Sequence, residues 1–305
     1  MKMDRKIRKA ADATTSMVER PSVGERIADV FVVLACALVA FCSVIPMWHV
    51  LMSSFSDGKL LLAHEGLVVL PVGEWTLEGY KFLLSNNGIL RGYLNSIIYT
   101  VSSTLLGFLI ACVAGYCMYC STKLSTFMRL FVLFPMMFSG GMVPSYMVIR
   151  ALGWVGTPLA LIIPGCTNAI FMIMMMNAFK SVPREMYEAA YIDGAGHMRT
   201  LFRVALPQAM NLGSVIILNS VVLQWNSWLP ASIYVPNNRN LWPLQLWIKQ
   251  IVADNENFLQ SANPDYTRYL LQFVVIVAAT LPVIIALPFF QDKLEKGVIS
   301  GGIKG

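Results

Sequence analysis

Residues 92–122 read GYLNSIIYTVSSTLLGFLIACVAGYCMYCST, with no charged side chain anywhere in the run. A helix needs about 20 mainly apolar residues to cross the hydrocarbon core of a bilayer. Strands of a membrane barrel instead alternate polar and apolar residues over about 10 positions. This stretch does not alternate, so it reads as a membrane-spanning helix. Working outward, five more uncharged stretches follow the same pattern: 30–48, 130–149, 151–179, 204–238 and 269–291. The stretch 204–238 must also contain a loop, because Pro236 and Asn237 end it. Prolines at 46, 135, 144, 164, 282 and 288 are expected to kink or break these helices.

Composition supports the same class. Of 305 residues, 56% are hydrophobic and 13% are charged, and the mean hydropathy is +0.61. A soluble domain carries about 25% charged residues, so a soluble globule is excluded, as are a disordered chain and a collagen-like fibre. The six cysteines all fall within or at the ends of apolar stretches. Cys117 and Cys120 form a C-x-x-C with no second pair, so they read as small packing residues and not as a metal or redox site.

The expected fold is an all-α integral membrane protein of six transmembrane helices with both termini inside. With the N-terminus inside, segments 1–29, 119–129, 179–207 and 291–305 hold 7, 2, 4 and 3 basic residues. Segments 54–92, 150–156 and 231–268, then outside, hold 3, 1 and 3. The bias of 16 to 7 satisfies the positive-inside rule. It also accounts for the net charge of +6 without invoking nucleic acid. The organisation is then a cytoplasmic tail at 1–29, read as retained and not as a cleaved signal peptide, a permease-like membrane domain at 30–291, and a second cytoplasmic tail at 292–305. The outer segments 54–90 and 231–267 are long enough for short helices and for contact with an external partner.

The segment 181–207 is more than a connector. Ser181 and Pro183 suit a helix start. Met186, Ala189 and Ala190 share a face at helical spacing, which would let another surface approach closely. Gly194 and Gly196 can turn the chain. A second short helix carries Met198, Leu201, Phe202 and Ala205 as its apolar residues, and Pro207 opens the next span. Physics alone leaves two readings open, an amphipathic hairpin lying on the membrane surface and a docking element for a cytoplasmic partner.

Glu188-Ala189-Ala190, Asp193-Gly194-Ala195 and Leu206-Pro207 resemble the EAA loop of binding-protein-dependent ABC importer permeases. The tail, Phe290-Gln291-Asp-Lys293 followed by Gly297 and Gly301-Gly302-Ile303-Lys304-Gly305, is similar to that of carbohydrate permeases of the maltose-permease small-subunit type. Trp225-Asn226-Ser-Trp228 is similar to a segment of the same family. Gly140-Gly141-Met-Val-Pro144 looks closest to the Gram-positive complex-oligosaccharide subgroup. The resemblance implies one permease chain of an ATP-driven importer in the bacterial cell membrane. It implies a second permease chain as a heterodimer partner, two ATPase subunits, and an extracellular binding lipoprotein that delivers a carbohydrate, most simply an oligosaccharide. It implies no cofactor in this chain, with ATP and magnesium on the partner ATPases. Glu188, Ala189, Ala190, Asp193 and Gly194 would be the ATPase-coupling residues, and the tail at 297–305 would also lie against the ATPases.

Candidates for the substrate path are polar residues inside spans, which are costly unless they face the bundle or a wet path. They are Ser139, Ser145, Thr167, Asn168, Asn177, Asn211, Asn219, Ser220, Gln224 and Asn226. Trp225 and Trp228 could stack on a sugar face beside the Asn226 amide, or serve as interfacial anchors. Asn219, Trp225, Asn226 and Trp228 are the favoured set. No charge lies mid-span, which argues against an ion-coupled carrier and favours a neutral saccharide for this chain. The alternatives are an importer for a non-sugar solute, a membrane enzyme, or a scaffold. G-x-S-x-G, H-E-x-x-H and Walker A motifs are absent, and His49, His64 and His197 lie far apart.

Overall fold

The computed structural model describes residues 23–120, 123–258 and 266–302, and every regular element among them is helical. The residues 1–22 and 303–305 of the two expected tails lie outside the described residues, and side chains from 289 onward are not described.

The first helix, α1, runs Val23–Ser54, continuing past Pro46. Two short helices follow, α2 (Gly58–Ala63) and α3 (Glu78–Ser85). Asp57 caps α2 by accepting from the backbone N–H of Lys59 and Leu60. The decisive stretch of sequence forms α4, Asn87–Tyr119, whose first turn is capped by the Asn86 side chain. After it come α5 (Lys123–Met137), α6 (Met142–Ala151), α7 (Leu159–Cys166) and α8 (Ala169–Lys180). The EAA-like segment holds α9 (Arg184–Ile192) and α10 (His197–Thr200). A π turn at Leu201–Ala205 leads into α11 (Leu206–Trp225). The chain ends with α12 (Leu229–Tyr234), α13 (Leu244–Phe258) and α14 (Tyr266–Gly302), the last continuing past Pro282 and Pro288.

Among the described residues four helices are long and apolar enough to cross a membrane, or six spans if two bent pairs each count as one. Both bends follow helices that hold a proline expected to kink or break them, Pro135 and Pro164. The run 130–149 turns by 119° between α5 and α6. Pro135 sits near the end of α5, and Gly141 with φ +81° starts α6. The run 151–179 begins its helix only at Leu159 and bends by 41° between α7 and α8. There Asn168 leaves helical geometry, and its Oδ1 accepts from the Ile170 N–H at 2.9 Å. In the run 204–238 helix α11 stops at Trp225.

Helix α4 is the hub. It packs against α5, α7, α8, α11 and α13, and α14 packs against α1, α3, α11 and α13. Backbones meet directly at two glycines of α4. A Cβ on Gly107 would lie 2.8 Å from the Cys166 carbonyl, and one on Gly115 would lie 2.9 Å from the Met176 N–H nitrogen. Small residues permit such close helix contacts where water supplies no driving force. One buried cluster, including Cys112, Met175, Phe179 and Leu201, sits at the α9–α10 end. Two others, around Trp225 and Val274 and around Tyr234 and Trp242, sit toward the opposite end. By contrast α1 and α5 present apolar faces outward. Phe31 is 72% exposed, and Phe127, Phe131, Phe134 and Phe138 stack in pairs down exposed α5. Such surfaces suit hydrocarbon or another apolar helix.

Candidate functional site

The EAA-like segment is a tightly specified turn. Helix α9 ends in a Schellman motif. The Ala195 N–H donates to the Ala190 carbonyl at 2.9 Å and the Gly194 N–H to the Tyr191 carbonyl at 3.0 Å. The motif requires a left-handed residue, and Gly194 supplies it with φ +73°. A Cβ on Gly194 would meet nothing within 4 Å, so only the backbone demands glycine there. Gly196 has an ordinary extended conformation, so the expected shared turning role falls to Gly194 alone.

The structure also corrects two expectations for this segment. Ser181 does not start α9. It closes α8, its Oγ donating to the Ala178 carbonyl at 2.7 Å, and Pro183 occupies the start position. Nor do Met186, Ala189 and Ala190 form one docking face. Ala190 is buried against the bundle, with Tyr187 beside it at 3% exposed, whereas Met186 and Ala189 face outward. Ile192 is the most open of the outward apolar residues, 86% exposed. Glu188 also faces out, in an ion pair with Arg184 at 3.0 Å. Asp193 is exposed and ends the helix, its N–H donating to Ala189.

What holds α9 to the membrane helices is a group of tyrosines that sequence reasoning did not single out. The Tyr187 hydroxyl donates to the Phe179 carbonyl at 2.8 Å, and its ring lies 4.9 Å from that of Tyr119. Burial, with Tyr119 close by, pushes the Tyr187 hydroxyl well above the ordinary tyrosine range, so it stays a neutral donor. The Tyr191 hydroxyl lies 3.4 Å from both the Tyr116 hydroxyl and His197 Nδ1. Tyr116 in turn packs edge-on against Phe179. The α9–α10 element therefore touches α4 and α8 through rings and hydroxyls, besides being joined by chain to α8 and α11. The only sequence signal was the recurrence of Tyr116, Tyr119, Tyr187 and Tyr191 at helical spacings on two elements.

The expected substrate-path residues do not converge. Trp225 is buried, 5% exposed, its indole N–H donates to the Ala279 carbonyl at 2.9 Å, and its ring meets Tyr93 edge-on. It bolts α11 to α14 and offers no face for stacking in this conformation. Trp228 lies under Lys249, whose Nζ is 3.2 Å from the ring centroid. Asn219 and Asn226 are exposed on α11, each bonding the carbonyl four residues back, at 2.9 Å. Asn226 lines a cavity of about 330 Å³, with Gln245, Thr280 and apolar residues of α1 and α14. A second cavity of about 450 Å³ runs along the α7–α8 break, where Thr167 and Asn168 face Phe131, Pro135 and Met136 of α5.

At the end of the bundle opposite α9, polar residues of α4 hold the 240–244 segment. Asn95 Nδ2 donates to the carbonyls of Asn240 and Trp242 at 2.8 and 3.1 Å, and the Tyr99 hydroxyl donates to that of Leu241 at 3.1 Å. Arg91 donates to Asn240 Oδ1 at 3.3 Å, and Ser96 Oγ accepts from the Leu244 N–H at 2.8 Å. Arg91, Asn95 and Tyr99 are spaced by four, a helical stripe visible in the sequence but with no visible partner.

Comparison with known proteins gives consistent results. The family described as binding-protein-dependent transport system inner membrane component matches residues 87–300. The chain is 29% identical to the polygalacturonan/rhamnogalacturonan transport system permease protein YtcP of Bacillus subtilis, over 92% of this chain and 99% of that one. It is 32% identical to protein LplC of the same organism, over 92% of this chain and 96% of that one. Its fold matches a chain of the crystal structure of a bacterial ABC transporter involved in the import of the acidic polysaccharide alginate. That match has a TM-score of 0.80 and 25% identity, and covers 90% of this chain and 99% of the other.

Proposed function

We propose, on the premise that the chain belongs to the family of binding-protein-dependent transport system inner membrane components, that it forms half of the path by which an ATP-driven importer takes up an oligosaccharide. The family makes it a membrane transport subunit and not an enzyme. The oligosaccharide reading draws on the relatives, whose names include polygalacturonan and rhamnogalacturonan, and on the alginate importer whose fold it shares.

In this reading the bent pairs α5–α6 and α7–α8 complete six spans with both termini inside. The layout is a tail at 1–29, a permease domain at 30–291 and a tail at 292–305. The partners are a second permease chain, two ATPase subunits that carry ATP and magnesium, and an external binding protein. The coupling element is 181–207, with Glu188, Ala189, Ala190, Asp193 and Gly194 as its motif residues. The observation that carries this is the division of labour on α9. Tyr187 and Ala190 are fixed to the bundle, while Glu188, Ala189 and Ile192 are left uncovered. A rigid element clamped on one side and bare on the other can pass the closure of an ATPase into a shift of packed helices.

The path for substrate runs past the α7–α8 break at Thr167 and Asn168, and past Asn226. Asn219 faces out from the same helix as Asn226. Trp225 holds α11 in place, and Trp228 keeps a place in the path only when Lys249 moves aside. The test is isolation of the intact complex in mild detergent, with its partners identified by mass, followed by ATP-driven uptake in proteoliposomes. Recovery of a second permease, two ATPase copies and saccharide uptake is expected. Recovery of the chain without any ATPase would sink the reading.

A further inference from the structure

A cavity of about 730 Å³ plays no part in the reading above. It opens at the end of the bundle opposite the coupling element. Its lining is polar: Ser232, Asn237, Asn238, Arg239, Asn240 and Gln250, over a floor that includes Trp242. We propose that this cavity is a binding site for an anionic saccharide, with Arg239 taking a carboxylate and the amides of Asn237 and Asn238 taking hydroxyls. The proposal rests on the oligosaccharide reading and narrows it to uronate-type sugars.

Three observations support it. The first is preorganisation. Asn95 and Tyr99 pin the backbone at 240–242, and Arg91 bonds the Asn240 side chain. The Trp242 indole N–H donates to the Val235 carbonyl at 3.0 Å. A floor fixed this way need not be ordered when a ligand arrives, which is where much binding energy is otherwise lost. The second is unspent capacity. The side-chain amides of Asn237 and Asn238 have no partner among the described residues, and neither Arg239 nor Arg91 has an ion pair there. Arg239 instead rests over the Trp242 ring at 5.4 Å, which sets its guanidinium at the cavity wall.

The third is chemical type. An amide offers a donor and an acceptor on one plane, which suits vicinal hydroxyls, and a guanidinium binds a carboxylate through two parallel bonds. The volume lies within the usual range for ligand pockets. Asp254, on the same helix as Gln250, accepts from Gln250 Nε2 at 2.8 Å. The absence of charge inside the spans is no obstacle, because this site lies at their mouth.

The probe is trigalacturonate, with its methyl ester and maltotriose as controls. Binding is measured by tryptophan fluorescence or calorimetry on the assembled transporter in nanodiscs, without binding protein. Trigalacturonate should bind, the methyl ester should bind at least roughly tenfold more weakly, and Arg239→Gln should weaken the acid to the same degree. Asn238→Ala should weaken all three sugars alike. Absence of binding, or binding indifferent to both esterification and Arg239→Gln, overturns the site. If Arg239→Gln instead lowers only uptake driven by the binding protein and leaves sugar affinity intact, the cavity receives an acidic side chain of that protein and the proposal fails. Uptake in proteoliposomes is run in parallel. Saccharide uptake without cavity binding refutes the site alone, whereas no uptake of any saccharide refutes the oligosaccharide reading.

Discussion

The two ends of α4 are fastened in different ways. At the 181–207 end the contacts are rings and buried hydroxyls, with Tyr116 and Tyr119 meeting Phe179, Tyr187 and Tyr191. At the 229–258 end a buried cluster that includes Tyr99, Tyr234 and Trp242 is joined by directional bonds from Asn95 and Tyr99 to the 240–242 backbone. Ring packing resists sliding in every direction, because interiors are dense and deform poorly. Bonds to backbone carbonyls add a fixed register, each at a modest net gain. One helix thus has a stiff, ring-packed joint at one end and a backbone-pinned one at the other.

The contrast can be broken most severely at Gly194. A β-branched residue forced into the left-handed region costs at least about 1–2 kcal/mol. Gly194→Val should therefore cut ATP-driven uptake by roughly tenfold or more while the chain still reaches the membrane. Because the site around Gly194 is open, Gly194→Asn should keep most transport, asparagine being tolerant of this conformation. Equal uptake by the valine variant would remove the stiff joint from the argument.

An effect of similar size, on stability and not on coupling, is expected at the middle of the helix. Gly115→Val would push against the Met176 backbone and should lower stability by about 1–3 kcal/mol, read as thermal unfolding in detergent. Tyr187→Phe comes next. It removes the shorter bond to the Phe179 carbonyl, which keeps the Val182 N–H at 3.4 Å, and should cost about 1 kcal/mol by the same assay. An unchanged melting temperature would mean that the rings alone hold α9.

The least effect belongs to the exposed pair Arg184–Glu188, whose side chains are 86% and 59% open. Arg184→Ala should change stability by no more than about 0.5 kcal/mol. Glu188→Gln should be as mild on stability yet lower uptake per ATP hydrolysed, if its outward face meets an ATPase as proposed. Loss of stability in place of coupling would move Glu188 to the clamped side of α9.

The membrane class and the turn of the EAA-like segment were legible in the sequence because both are written locally. An uncharged run such as 92–122 needs no partner to declare itself, and Asp193-Gly194 marks a turn by its own backbone chemistry. The face of α9 was misread because Ala189 and Ala190 are adjacent on a helix and point about 100° apart. Only Tyr187, locked to Phe179, decides which of them turns inward. Trp225 looked like a sugar platform because an aromatic next to an asparagine fits one. Its actual partner, the Ala279 carbonyl, lies 54 residues away and carries no sequence signal. The same distance hid the purpose of Arg91, Asn95 and Tyr99, whose contacts on 240–242 are more than 140 residues off. Pro135 signalled a break, but the 119° size of the bend was hidden because hydropathy continues unbroken through a turn that glycine makes cheap.

That bend has a consequence for the lipid. Helix α1, with 32 residues, rises about 48 Å, whereas α5, with 15, rises only about 22 Å before the chain turns aside. A bilayer with a hydrocarbon core of about 30 Å must meet both on the same perimeter. Tilt can absorb the excess at α1, whereas the shortfall at α5 calls for a thinner bilayer or an apolar partner helix beside its exposed phenylalanines. A proline and a glycine thus set where the chain and the thickness of the lipid disagree.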